Sequence, residues 1–174
     1  MNNIIETQRL ILREIVHEDA EGLFELDSDP EVHRYLGNKP VTDIQQVKDV
    51  IRFLRQQYIE NGIARWAVVD KNTNAFMGWA GLKLVKEKTN DHINYYDVGY
   101  RLIKKYWGQG IAYESAKASL AYGFEVMNLE KIYAAAHVDN IASNRVLTKS
   151  GLKFMETFDY DGAKHNWYRI DNIK

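Results

Sequence analysis

The sequence predicts a mixed α/β, or α+β, domain. Two observations carry this. Strand-length apolar segments dominate the first hundred residues around two helical stretches, and strands then alternate with helices before two closing strands. The 174 residues, 45% of them hydrophobic, suffice for a single domain over residues 1–174 with its own core.

Residues 9–15 are apolar at most positions around Arg9 and Arg13, as in a short buried strand. A helix opens at Asp19, where Ala20, Leu23, Phe24 and Leu26 recur at helical spacing. Pro30 ends it by pushing Asp29 out of helical geometry. A second helix starts at Thr42 with Gln45 as the other half of a capping box. Ile44, Val47, Val50, Ile51, Leu54 and Tyr58 form its apolar face, and Gly62 closes it. Residues 65–70 and 76–82 read as strands of an antiparallel hairpin, joined by the polar turn Lys71-Asn72-Thr73-Asn74. A charged loop leads to a third strand at 93–103, where Tyr96, Val98, Tyr100 and Leu102 alternate with more polar positions. From Gly110 to about Val126, Ala112, Ala116, Leu120 and Phe124 repeat every four residues, and the small ones let a helix approach a sheet closely. A strand at 131–136, a helix at 141–150 closed by Gly151, and strands at 152–158 and 166–170 complete the chain.

Lys and Arg number 23 against 24 for Asp and Glu, and no long run of one sign marks a polyanion-binding face, so nucleic acid is not an expected partner. The absence of cysteine excludes disulfides, zinc–thiolate sites and a protein thiol nucleophile; a participating thiol must belong to a cofactor. No metal is expected. The N-terminus has no basic, apolar leader and no segment nears the roughly 18 apolar residues of a membrane span, which predicts a cytoplasmic protein with no membrane partner.

The most informative join is residues 104–110, Lys-Lys-Tyr-Trp-Gly-Gln-Gly, between a strand and a helix. Paired glycines permit close backbone approach, and amides at a helix start attract phosphate. Glycines in such a place also simply terminate elements. Two rival phosphate loops are disfavoured: no Gly-x4-Gly-Lys-Ser/Thr occurs, and Tyr113 stands where a dinucleotide fingerprint needs its third glycine. In residues 140–151, Asn140 caps a helix, Val146 and Leu147 pack inward and Gly151 ends it. Ser143 is then either a first-turn hydroxyl or one placed to reach the reactive end of a bound cofactor.

These segments resemble the GNAT superfamily of N-acetyltransferases in its RimJ/RimL-like branch. The matching motifs, in order, are Thr7-Gln8-Arg9-Leu10-Ile11-Leu12-Arg13, Asp29-Pro30, Lys105-Tyr106-Trp107-Gly108-Gln109-Gly110, and Asn140 and Ser143 with Lys149 and Gly151. Lys105 departs conservatively from the usual Arg or Gln. The resemblance implies a mixed, mostly antiparallel sheet of six to seven strands with helices on both faces and a splayed strand pair. It implies acetyl-CoA as co-substrate, with Leu102 and Ile103 pairing with the pantetheine arm. The amides of Trp107, Gly108, Gln109, Gly110, Ile111 and Ala112 would hold the pyrophosphate, with Asn140 and Ser143 also on the cofactor side. An amine attacks the thioester directly. Ser143 is implied as the acid, or as a cap alone. Asp97 is implied as the base, or is a solvated strand residue, with His92 as another choice. Trp66, Trp79, Tyr95 and Tyr96 either wall the acceptor site or are core aromatics. The acceptor is a protein N-terminus or a small amine. A different class, a non-catalytic acyl-CoA sensor or interaction module, would bind without releasing thiol. The last strand, at 166–170, either ends the sheet or pairs across a homodimer, which would relieve an exposed edge.

Overall fold

The computed structural model describes residues 4–173; Met1–Asn3, on which the reading of a missing leader partly rests, lie outside the described residues. The elements are β1 (Ile5–Glu6), β2 (Leu10–Glu14), α1 (Ala20–Asp27), α2 (Ile44–Asn61), β3 (Trp66–Asp70), β4 (Phe76–Val85) and β5 (Tyr95–Leu102). They continue with α3 (Ile111–Glu125), β6 (Lys131–His137), α4 (Ile141–Lys149), β7 (Lys153–Tyr160) and β8 (Ala163–Asp171). One sheet runs in the order β1-β2-β3-β4-β5-β6-β8-β7, and β5–β6 is its parallel pair among antiparallel ones. The eighth strand, beyond the six or seven expected, is the two-residue β1, too short to carry a period.

Both faces of the sheet are covered, which explains why β3 is apolar and buried from Trp66 to Val69. Trp66 and Val68 join Leu120 of α3 and Leu147 of α4 in one core cluster, while Ala67 and Val69 join Leu23 of α1 and Ile51 of α2 in the other. α3 sits close because its inward row is small: Ser115, Ala116 and Ser119 are fully buried, and a Cβ on Gly123 would lie 2.7 Å from Ile132 Cδ1. The buried hydroxyls stay satisfied by bonding back to helix carbonyls, Ser119 to Ser115 at 2.7 Å. The backbones of β4 and β5 also crowd together, since a Cβ on Gly78 would meet the Arg101 carbonyl oxygen at 2.1 Å.

Two expectations need correction. The cap of α2 is Asp43, which accepts from the Gln45 amide at 2.7 Å, so the helix begins one residue later and Gln46 completes the box by accepting from the Thr42 and Asp43 amides. Residues 166–170 form no edge: β8 pairs with β6 on one side and β7 on the other, so it offers no free ladder to a second copy. The β7–β8 hairpin turns on Asp161-Gly162, with φ of 49° and 77°, as a two-residue loop between twisted strands requires.

Candidate active site

β5 and β6 share one register pair, Asp97 with Tyr133, and diverge beyond it. The fork follows from what each strand is tied to. β5 stays zipped to β4 as far as Leu102–Gly78, while β6 follows β8 to His137–His165. The Ile103 amide donates to Met77 at 3.0 Å and its carbonyl accepts from Tyr106, so both its main-chain groups are taken. Ile103 therefore has no free amide for a pantetheine arm, and only the second lone pair of its carbonyl is left. Alternation turns Leu102 the other way, with its amide facing the fork and its carbonyl receiving the Trp107 indole N–H at 2.8 Å.

The chain leaves β5 through a 3₁₀ turn at Lys104–Tyr106 and enters α3 over Gly108 and Gly110, whose φ values are 71° and 78°. The first bond of α3 runs from the Glu114 amide to the Gly110 carbonyl, so the amides of Ile111, Ala112 and Tyr113 have no partner in the helix. Gly110 as N-cap has no side chain to occupy them. The Trp107 amide instead bonds the Lys104 carbonyl at 3.0 Å, so the open row starts at Gly108 rather than at Trp107. Lys105 points away and pairs with Glu25 of α1 at 3.0 Å.

This loop is pinned by the first sequence motif. Glu114 accepts from the Thr7 hydroxyl at 2.6 Å and from the Arg9 amide at 3.0 Å, and it pairs with Arg9 Nε at 2.7 Å. Arg9 Nη1 also donates to the Gln109 carbonyl at 2.9 Å. Arg13, at the other end of the motif, forks onto Asp19 with two bonds of 2.8 Å, fixing the entry to α1.

At the start of α4, Asn140 Oδ1 accepts from the Ser143 amide at 3.2 Å, so Asn140 is a cap. Asn144 braces the same turn: it donates to the His137 and Asn140 carbonyls and accepts from Asn166 and Tyr168. The Tyr100 hydroxyl reaches across from β5 to the Ser143 carbonyl at 2.9 Å and to its Oγ at 3.1 Å. Burial, against the opposing Ser143 hydrogen bond, pushes the Tyr100 hydroxyl well above the usual phenol range, so it stays protonated.

The opposite face of β5 carries Asp97, Gly99 and Arg101. Arg65 lies across Gly99, donating to Asp97 Oδ2 at 2.6 Å and to the Gly81 and Asp97 carbonyls. Trp79 stands between two guanidinium groups, 5.3 Å from Arg65 and 5.1 Å from Arg101. Arg101 in turn donates to Asp27 at 2.7 Å. A cleft of about 410 Å³ opens here between β4, β5, α1 and α2, with His33 in its wall. Of the expected wall residues, Trp79 lines this cleft. Trp66 does not: alternation turns it beneath α3, 1% exposed and edge-on to Tyr122. Tyr96 packs against the same α3-side core. Tyr95 and His92 belong to an aromatic cluster with Tyr133 and Trp167 further along the sheet. Burial pushes the Tyr95 hydroxyl up to about 12.

Residues 9–153 match the family described as the acetyltransferase (GNAT) domain. The chain belongs to the GNAT acetyltransferase family. Among its relatives, the uncharacterized N-acetyltransferase YoaA of Bacillus subtilis is 35% identical over 86% of this chain and 82% of that protein. A solved structure of RimL, a ribosomal L7/L12 alpha-N-protein acetyltransferase, superposes with a TM-score of 0.81 at 19% identity, covering 98% of this chain and 95% of that one. Spermidine N-acetyltransferase from Vibrio cholerae, solved with CoA and spermine, superposes at 0.77 with 17% identity, covering 95% and 97%. At such identities the two structures speak for the fold.

This GNAT enzyme is an acetyl-CoA-dependent N-acetyltransferase that moves an acetyl group to an amine. Its own residues fit that co-substrate: uncapped amides open at Ile111 and Ala112, two glycines put no side chain before them, and the Leu102 amide faces the fork where β5 and β6 no longer pair. Several contributors to the site were not singled out in the sequence. Arg101 and Tyr100 lie on β5, whose alternation assigns their faces, and Arg65 immediately precedes β3, so that signal was there to use. Asp27 and His33 flank a helix end and a loop, where no period points inward.

Proposed function

We propose that this enzyme, of the RimJ/RimL-like kind, works in the cytoplasm on a primary amine that enters through the cleft over Trp79. In this reading Asp97 takes the proton of the attacking ammonium and Ser143 gives one to the departing thiolate. The observation that supports it is the fork itself, with Asp97 on one face and the Tyr100–Ser143 hydroxyl pair on the other. Bound acetyl-CoA would supply the activated acetyl thioester. The Gly108–Ala112 amides and Leu102 hold and orient it. Asp97 Oδ2 is engaged by Arg65, which leaves Oδ1 to accept the ammonium proton directly or through one water. Ser143 Oγ passes its proton toward sulfur while Tyr100, turning from the Ser143 carbonyl to Oγ, stabilises the oxygen left behind.

The test is thiol release with a panel of N-terminal peptides, polyamines, amino acids and aminoglycosides, followed by Ser143→Ala and Asp97→Asn with the best acceptor. A pH profile of full turnover in either variant removes that residue from its role. Binding of acetyl-CoA without thiol release for any acceptor marks a sensor instead.

A further inference from the structure

The cleft over Trp79 has two unlike sides. The sheet contributes Arg65, Lys83 and Arg101, and the end of α1 and the segment after it add Asp27 and His33; facing them is an apolar wall of Leu23, Val41, Val50, Phe53 and Leu54. Its carboxylates are already neutralised. Asp27 is held by Arg101 at 2.7 Å and neighbouring Asp97 by Arg65 at 2.6 Å. Lys83, cross-strand from Asp97, makes no ion pair among the described residues, so the polar side carries an uncompensated positive charge.

His33 gives an independent sign that a polar ligand belongs here. It is 7% exposed, and neither ring nitrogen has a hydrogen-bond partner. Its Nε2 lies 3.6 Å from Asp27 Oδ1, beyond hydrogen-bond reach. Buried polar atoms left unpaired are costly, and a ligand donor or acceptor that reaches Nδ1 would satisfy the nitrogen that does not face Asp27. The helix side presents the reverse: Phe53 is 62% exposed and Val50 43%, an apolar lip facing the same space.

We infer that the acceptor is a monoamine bearing a carboxylate and an apolar side chain, the chemistry of an aliphatic or aromatic α-amino acid. Lys83, the cation without a counter-ion, holds the carboxylate, His33 adds one polar contact to the head, and Val50 and Phe53 cover the apolar part. A polycation fits poorly, because it needs uncompensated carboxylates and finds lysine instead. This specificity rests on the transfer reading above.

The test uses the full chain, saturating acetyl-CoA and four acceptors: L-phenylalanine, L-phenylalaninamide, phenethylamine and spermidine. The expected kcat/KM for phenylalanine exceeds that of each other acceptor by roughly tenfold or more, the effect of one charge-assisted contact. Lys83→Gln removes that advantage while leaving the amide within about twofold. Phe53→Ser weakens phenylalanine through KM with kcat retained. Equal or better turnover of spermidine or the amide overturns the inference but leaves acetyl transfer intact, as does a Lys83→Gln variant that slows amide and acid alike. Thiol release with peptides or aminoglycosides and none of the four overturns it too; release with no amine at all overturns the transfer reading with it.

Discussion

Arg9 Nε lies 2.7 Å from Glu114 Oε2, and this pair joins β2's leading edge to the opening turn of the helix behind the Gly108–Gly110 loop, where we propose that the coenzyme binds. A second Arg9 nitrogen holds the Gln109 carbonyl at 2.9 Å, so one planar guanidinium braces the loop at two points. Arg9→Ala should weaken acetyl-CoA binding by about tenfold in calorimetry while moving the acceptor KM less than about twofold. Arg9→Lys should recover only part, since an ammonium cannot span both acceptors. Unchanged affinity in Arg9→Ala would show that the loop holds its shape without the brace.

Gly108 has a φ of 71° and open space where a Cβ would be. Substitution there tests conformation rather than crowding. Gly108→Ala should cost about 1 kcal/mol in urea unfolding, and Gly108→Asn less, because asparagine tolerates the left-handed region. Gly108→Trp should in addition block the amide row and abolish acetyl-CoA binding. Retained affinity in that variant would refute the loop assignment.

The motifs pointed to the glycine loop but not to its brace. Glycines before a helix and an Asn-x-x-Ser turn are local, so the resemblance could rest on Gly108, Gly110, Asn140 and Ser143 although their spacing alone left element ends and caps as alternatives. Arg9 and Glu114 are more than a hundred residues apart, and nothing local in either segment predicts their meeting. The same limit misplaced Trp66. Aromatic residues at strand spacing report burial, but β3 is buried on both faces, so its pattern could not say whether Trp66 faced the cleft or α3. For Ile103, sequence could not foresee that one more ladder bond to Met77 would consume its amide.

Tyr100 couples β5 to the turn carrying Ser143. If its hydroxyl serves Ser143 in proton transfer, Tyr100→Phe should lower kcat roughly 10- to 100-fold with acetyl-CoA affinity nearly unchanged. Adding Ser143→Ala should then cost little more, since the two act as one unit. Additive losses would separate them.

His33 should make stability fall in mild acid. Burial, aided by the nearby Arg101 charge and opposed by Asp27, holds its pKa below the ordinary value. The unfolded ring protonates near about 6.5. Between the two values the unfolded chain carries the extra proton, so lowering pH through that window favours unfolding; above about pH 7 the effect is absent. Urea midpoints at pH 8 and 5.5 should drop more for the wild type than for His33→Gln. Equal drops would assign the acid sensitivity to other groups.

Gly99 is the floor under Arg65. A Cβ there would lie 2.8 Å from Arg65 Nη2 and 2.9 Å from its Cζ. A flexible arginine would ordinarily swing aside, but this one is held by the Gly81 and Asp97 carbonyls, by Asp97 Oδ2 and by the Trp79 ring, so moving it breaks several contacts at once. Gly99→Ala should therefore free Asp97 from its counter-ion and reshape the cleft, while Leu102, Gly108 and Gly110 keep their geometry. The expected result is a several-fold rise in acceptor KM and a shifted pH–rate profile, with acetyl-CoA affinity within about twofold of wild type. An equal loss of acetyl-CoA binding would mean that the two faces of the fork are not independent.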